Sequence, residues 1–381
     1  MAKNIVILGA GFGGIQAAVT LAKQLSKLPI KNEYEVIVID RNPFHTFTPL
    51  LYEIATTSEE SARTPILRSI VTYSLHELLS PWGITTMTNT VLHVDFDACA
   101  VHCSNETKLK FEYLIIALGS ETNYFNIPGL KEHSLPLKTF SDAIAIRNRI
   151  HDLFKSKKRK RIDIVIGGGG ATGVELAGEI CEWIPELEEE CKLHCGVHVT
   201  IVEAGPIILG ALDARVRKKA EKRLLKLDVV LKTNTKIQSA QSSAVLTATG
   251  EKIPFDTLVW TGGVKPTILT ESMTIAKEEC GRITVTGGLA CGMGTSNLKL
   301  ENCVYAIGDV ACFYNPKTKL PMPLLARPAM VEGSIAAKNI IEEIKKRHNL
   351  MPNPKIFTYR PWNYPYIAPV GGKYAIAKIG P

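Results

Sequence analysis

Two glycine runs decide most of what this chain can fold into. GAGFGG at 9–14 and GGGATG at 168–173 begin 159 residues apart and sit in matching neighbourhoods. The first follows an apolar run, Lys3 to Leu8, and precedes a segment of helical periodicity, Ile15 to Leu28. A second apolar run, Tyr34 to Ile39, then ends in Asp40. The second glycine run follows Ile162 to Gly167, opens a helix through Val174 to Trp183, and leads to Val197 to Val202 and Glu203. Strand, glycine turn, helix, strand and acid is the order of a unit that binds a dinucleotide. Gly9 and Gly168 permit the tight turn, Gly11 and Gly170 let backbone approach a diphosphate, and Gly14 and Gly173 let the helix close on the sheet. The diphosphate then faces the N–H groups of the helix start, which adds Phe12, Gly13, Ala171 and Thr172 to the candidate contacts.

The chain therefore reads as α/β, with two Rossmann-like dinucleotide-binding domains and a short C-terminal segment. Its 381 residues suffice for two or three domains. Residues 1–120 and 266–348 are expected to form the first domain in two parts, 121–265 the second, and 349–381 a small segment resting on them. Residues 93–119 alternate turns and strands and end in YLIIALG, and a helix is expected near Phe140 to Phe154. Thr247 to Pro254 reads as a hairpin, FDTLVWTGG and NCVYAIGD as strands, and Pro328 to Arg347 as a long helix.

The two acids differ in what they select. Asp40, with Arg41 beside it, lies 26 residues beyond Gly14 and is placed to accept hydrogen bonds from an adenosine ribose, the reading for FAD. Glu203 is placed for both ribose hydroxyls and repels a 2'-phosphate. It is followed by Ala204, Gly205 and Pro206 with no arginine, which favours NADH over NADPH. Arg215, Arg217 and Lys218 further on read as a solvated helix face. Glu175, in the first turn of the second helix, admits two readings. It is a carboxylate stabilised by the helix dipole, or a group at the nicotinamide end that positions cofactor or supplies protons.

Composition excludes several classes. No apolar run approaches the roughly 18 residues of a membrane span. The nine scattered cysteines read as reduced thiols rather than staples, and no metal site is expected from Cys191 and Cys195 with their neighbouring histidines. The net charge of +8 is modest. The basic run KSKKRKR at 155–161 reads as a solvated linker, and no nucleic-acid reader fold is visible.

With its two fingerprints, FDTLVWTGG and YAIGDVA, the chain resembles the two-dinucleotide-binding-domain flavoproteins, which are pyridine nucleotide-disulfide reductase-like, over nearly its whole length. Within them, NPFHTFTPLLYEIAT at 42–56 is similar to a run in the type II NADH dehydrogenases, single-subunit NADH:quinone oxidoreductases of the respiratory chain. The resemblance implies that Phe47, Thr48, Pro49 and Leu50 pack against the flavin, and that Gly308 and Asp309 approach its ribityl and phosphate part. It also implies that Ala117, Leu118, Gly119, Gly262 and Gly263 form crossover turns, and that Pro328 and Ala329 start a helix aimed at the flavin's pyrimidine edge. Glu175, Glu332 and Lys373 become the candidates for proton delivery to a quinone. LLARPAMVEGSIAAKNI departs from the family's glutamine-rich signature at the quinone channel, which leaves the acceptor open. In that family the FTYRPWNYPYIAPVGG region continues into helices that lie on the bilayer, and this sequence stops at Pro381 where they would begin. Peripheral attachment to the cytoplasmic side of a membrane and a homodimer are family expectations. The competing readings are a sulfide:quinone reductase-like enzyme, which would need a thiol pair where only Cys312 is well placed, and a soluble NADH-dependent reductase of a protein acceptor. A nucleotide-responsive interaction protein without turnover is the reading from another class.

Overall fold

The computed structural model describes residues 2–58, 64–156, 161–192, 194–292, 300, 302–361 and 364–379, with Thr64 by its backbone alone. Residues 157–160 of the basic run, 362–363 and 380–381 lie outside the described residues. The chain divides into two compact units. One comprises Met1–His45, Tyr73–Glu121 and Lys265–Tyr364, and the other Thr46–Thr72, Thr122–Val264 and Pro365–Pro381.

The first unit is built on a five-stranded parallel sheet in the order Val304–Ala306, Tyr113–Ile116, Lys3–Leu8, Tyr34–Asp40, Thr85–Thr88. Ile5, Val6, Ile7 and Leu8 are inaccessible to solvent, as expected for a central strand covered on both faces. The register pairs Leu8 with Ile39 on one side and Ile116 on the other, so three strand ends come level. The glycine turn lies just beyond them. The first helix runs Phe12–Leu25 rather than Ile15 to Leu28. Its start uses the fingerprint's own last residues. Its end precedes Leu28-Pro29, a pair that disfavours helix at the residue before proline. This helix packs on Ala326–Arg347, which begins two residues before Pro328. The two approach so closely that a Cβ on Gly333 would lie 2.4 Å from the carbonyl oxygen of Gly13.

The second unit repeats the plan, in the order Leu135–Pro136, Thr257–Trp260, Arg161–Gly167, Gly196–Val202, Val230–Lys232. Helices Phe140–Lys155, Ala171–Cys191 and Ala214–Lys226 accompany it, the first opened by a capping box between Thr139 and Asp142. Ile237–Gln241, Ala244–Thr247 and Lys252–Pro254 form an antiparallel sheet that contains the expected hairpin.

The structure redraws two of the expected boundaries. Thr46–Thr72 clusters with the second unit, where Leu51, Tyr52, Ile54, Leu67 and Val71 join its core. The 349–381 segment forms no third body. Residues up to Tyr364 lie with the first unit, where the Asn339 amide accepts the Phe357 N–H at 2.8 Å and donates to the Phe357 carbonyl at 2.8 Å. From Pro365 on, the chain is a hairpin, Tyr366–Pro369 and Ala375–Lys378, seated on helix Ala171–Cys191. A stretch this short cannot bury a core of its own and so borrows one from each unit.

Candidate functional site

Both glycine turns are built alike. Gly9 and Gly168 take φ of +100° and +109°, which side chains resist. A Cβ on Gly14 would fall 2.0 Å from the Gly9 carbonyl oxygen, and one on Gly173 2.1 Å from that of Gly168. At Gly11 and Gly170, the N-cap residues of the two helices, an added Cβ meets nothing within 4 Å. No side chain caps either helix start. Each turn is thus a surface of backbone N–H groups at the positive end of a helix, which fits a dinucleotide diphosphate.

The residue between the first two glycines is pinned at both its polar groups. The Ala10 N–H donates to Asp40 Oδ2 at 2.8 Å, and its carbonyl accepts from His45 Nδ1 at 2.9 Å. A carbonyl only accepts, so this nitrogen of His45 carries hydrogen. Burial holds the imidazole below its usual pKa, opposed by the hydrogen bond to Ala10 and the charge of Asp40. In the second turn the Gly169 N–H donates to Glu203 Oε2 at 2.6 Å, and the Leu209 N–H donates to the Gly169 carbonyl at 2.7 Å. Each acid also accepts the N–H two residues beyond itself, Asn42 at 2.8 Å for Asp40 and Gly205 at 2.6 Å for Glu203.

In the first unit, the strand ends bring the other predicted residues to the same edge. Ala117 lies under Gly9, where a Cβ would come 2.3 Å from the Ala117 carbonyl oxygen, and Leu118 and Gly119 follow. Gly308, at φ +70°, donates its N–H to Glu332 Oε2 at 2.7 Å, and Asp309 Oδ2 accepts from the Ser120 hydroxyl at 2.6 Å. Glu332 is 5% exposed, a buried carboxyl rather than a solvated one on the helix surface. Its carboxyl is pushed up to about 7, mainly by burial, against the Gly308 N–H and helped by Asp309. Pro328 and Ala329 lie in the first turn of the same helix. With Phe313, Met322, Leu324 and Leu325 they wall a small recess that reaches Asp309 and Glu332. Arg41 is exposed beside Asp40, and Phe12 meets His45 edge-on at 4.8 Å.

In the second unit, Gly262 packs under Gly168, and the Thr261 hydroxyl donates to the carbonyls of Gly167 and Gly168 at 3.2 and 3.1 Å, with Gly263 next in the chain. Ala171 and Thr172 are exposed at the helix start. Phe47 precedes a single turn of 3-10 helix, Thr48–Leu50, with Pro49 inside it. Glu175 is half-buried on helix Ala171–Cys191, and burial pushes its carboxyl up to about 8. Lys373 stands exposed in the turn of the C-terminal hairpin. Sequence reasoning did not single out His45, Tyr52 or Ser120. The first two lie inside the quoted 42–56 run, but only burial reveals that each needs a polar partner.

Comparison with known proteins agrees with this construction. The sequence model of the pyridine nucleotide-disulphide oxidoreductase family matches residues 3–336. A type II NADH:quinone oxidoreductase of Staphylococcus aureus is 30% identical over 349 residues, covering 89% of this chain and 82% of the relative. Among solved structures, NDH2 from Plasmodium falciparum in complex with NADH shares the fold at a TM-score of 0.75 and 18% identity, over 99% of this chain and 90% of that one. The sulfide:quinone oxidoreductase of Aquifex aeolicus does so at 0.75 and 19%, over 100% and 87%. The chain belongs to the pyridine nucleotide-disulphide oxidoreductase family and, within it, to the type II NADH:quinone oxidoreductases.

Proposed function

We propose that this protein is an NADH:quinone oxidoreductase that moves two electrons from NADH through FAD to a quinone without pumping protons. The observation that carries the reading is the pair of pinned glycine turns in one chain of this family. When bound, FAD supplies a two-electron carrier able to take a hydride from nicotinamide and reduce a quinone. The chain's own contribution is to bind, orient and supply protons.

Gly9, Gly11, Phe12, Gly13 and Gly14 hold the FAD diphosphate, and Asp40 with Arg41 its adenosine ribose. The lone pairs of Asp40 not used by Ala10 and Asn42 remain for the ribose. Ala117, Leu118, Gly119, Gly308 and Asp309 line its ribityl chain, and Phe47, Thr48, Pro49 and Leu50 its ring. The start of helix Ala326–Arg347, where Pro328 and Ala329 lie, presents its positive dipole end to the ring's pyrimidine edge. Gly168, Gly170, Ala171, Thr172 and Gly173 hold the NADH diphosphate, Glu203 its ribose, and Gly262 and Gly263 the turn beside it. Quinone reduction consumes protons. Glu332 and Glu175 are suited to carry them because burial brings both carboxyls near neutrality. Lys373 is a third candidate by family resemblance. Attachment to a membrane surface on the cytoplasmic side and a homodimer complete the reading. It is compatible with the finding that, among the described residues, no helix is long and apolar enough to cross a membrane.

The test is an anaerobic stopped-flow record of flavin absorbance on adding NADH and then a short-chain quinone. Rapid bleaching and recovery with quinone is expected. Recovery only with a protein acceptor would overturn the quinone assignment, bleaching by sulfide but not by NADH would overturn the NADH assignment, and no bleaching would overturn the enzyme.

A further inference from the structure

The Ala10 carbonyl accepts the His45 Nδ1–H at 2.9 Å, and that carbonyl shares a planar trans peptide with the Gly11 N–H. The two groups point in opposite directions across the peptide, so holding the carbonyl aims the N–H. The Gly11 N–H itself has no acceptor among the described residues. His45 is 8% exposed and meets the Phe12 ring edge-on at 4.8 Å, so the imidazole is held where it donates.

The second turn aims the equivalent N–H by other means. There the Gly169 carbonyl accepts the Leu209 backbone N–H at 2.7 Å, and the Gly170 N–H is left without an acceptor among the described residues. The result is the same, with Gly11 at φ −73° and ψ −173° and Gly170 at φ −72° and ψ −175°. One turn depends on a side chain where the other uses main chain, so a substitution can remove the first support alone.

We propose that His45 is a positioning residue for FAD, its Nδ1–H holding the Ala10–Gly11 peptide so that the Gly11 N–H faces the flavin's diphosphate. This rests on the assignment of the first turn to FAD and the second to NADH made above. The imidazole acts as a hydrogen-bond donor, and a donor at Nδ1 is what the buried Ala10 carbonyl requires. Without it the carbonyl stays buried and loses its partner, and the peptide can turn its N–H away from the phosphates.

The experiment strips wild type, His45→Phe and His45→Asn of flavin and titrates each with FAD, reading the dissociation constant from flavin fluorescence. Phenylalanine keeps a ring against Phe12 but has no donor. Asparagine loses the ring but carries an N–H on Cγ, where the imidazole carries Nδ1. His45→Phe is expected to weaken FAD binding about 10-fold or more, and His45→Asn to restore most of the loss. In the flavin-loaded proteins the KM for NADH should not move. FAD bound by His45→Phe as tightly as by wild type, or by His45→Asn no more tightly than by His45→Phe, would overturn the donor role. A KM for NADH that rises as far as FAD affinity falls would overturn it too. Should His45→Phe not fold, His45→Asn decides, since it keeps the donor: near-wild-type affinity supports the role, and weak binding or misfolding overturns it. Wild-type protein that takes up no FAD would instead overturn the cofactor reading on which the proposal rests.

Discussion

The Asp40 carboxylate accepts the Ala10 N–H at 2.8 Å, tying the end of the second strand to the middle of the glycine turn. Glu203 and Gly169 repeat the relationship at 2.6 Å in the other unit. Each acid therefore shapes its turn before it meets any ribose. Asp40→Ala leaves the Ala10 and Asn42 N–H groups without their acceptor. The expected cost is about 1–3 kcal/mol of stability, together with FAD lost on gel filtration. Melting curves and flavin content measure both, and unchanged values would show that the bond holds nothing in place.

Gly14→Ala and Gly173→Ala separate the two cradles. Each new Cβ would sit near 2 Å from a carbonyl oxygen of its own turn, at 2.0 and 2.1 Å, so the turn must open. Gly14→Ala is expected to purify without flavin. Gly173→Ala should retain flavin while its KM for NADH rises by about 10-fold or more. Flavin absorbance and steady-state kinetics decide, and exchanged phenotypes would reverse the cofactor assignment.

Glu203→Ala removes a carboxylate placed to repel a 2'-phosphate. The preference for NADH over NADPH, read as a ratio of kcat/KM, is expected to fall about 10-fold, with part of the loss on NADH itself because Gly169 and Gly205 lose their acceptor. A ratio that does not move would assign discrimination elsewhere.

Glu332 gives a pH signature in the folded protein. Its carboxyl rises from 4.5 to about 7, so the folded state binds this proton more tightly than the unfolded chain. The stability this provides is fully present below about pH 4.5 and is lost as pH rises through about 7. Glu332→Gln should flatten the loss across that window and melt higher than wild type at pH 8, by about 3 kcal/mol in stability. Parallel melting profiles for the two proteins would contradict it.

The cradles were legible because their demands are local. A turn that needs positive φ at Gly9, closeness at Gly14 and an acid after the next strand writes all three into nearby sequence. Helix ends were less legible. The periodicity of 15–28 gave no weight to Gly13 and Gly14 as helical residues or to Pro29 as a stop. Glu332 shows the harder limit. Nothing in VEGS distinguishes an exposed acid from one 5% exposed beneath Gly308, because the N–H it accepts belongs to a residue 24 positions away that only the fold brings beside it.

By itself the sequence determined the two repeated α/β units, their glycine turns and the acids that serve them, since these follow from backbone sterics and strand periodicity. Only tertiary structure decided that Thr46–Thr72 joins the second unit, that the C-terminal stretch divides between the two, and that His45 and Tyr52 are buried with polar partners. Burial depends on which distant surfaces meet, and that same burial moves Glu175 and Glu332 toward neutrality.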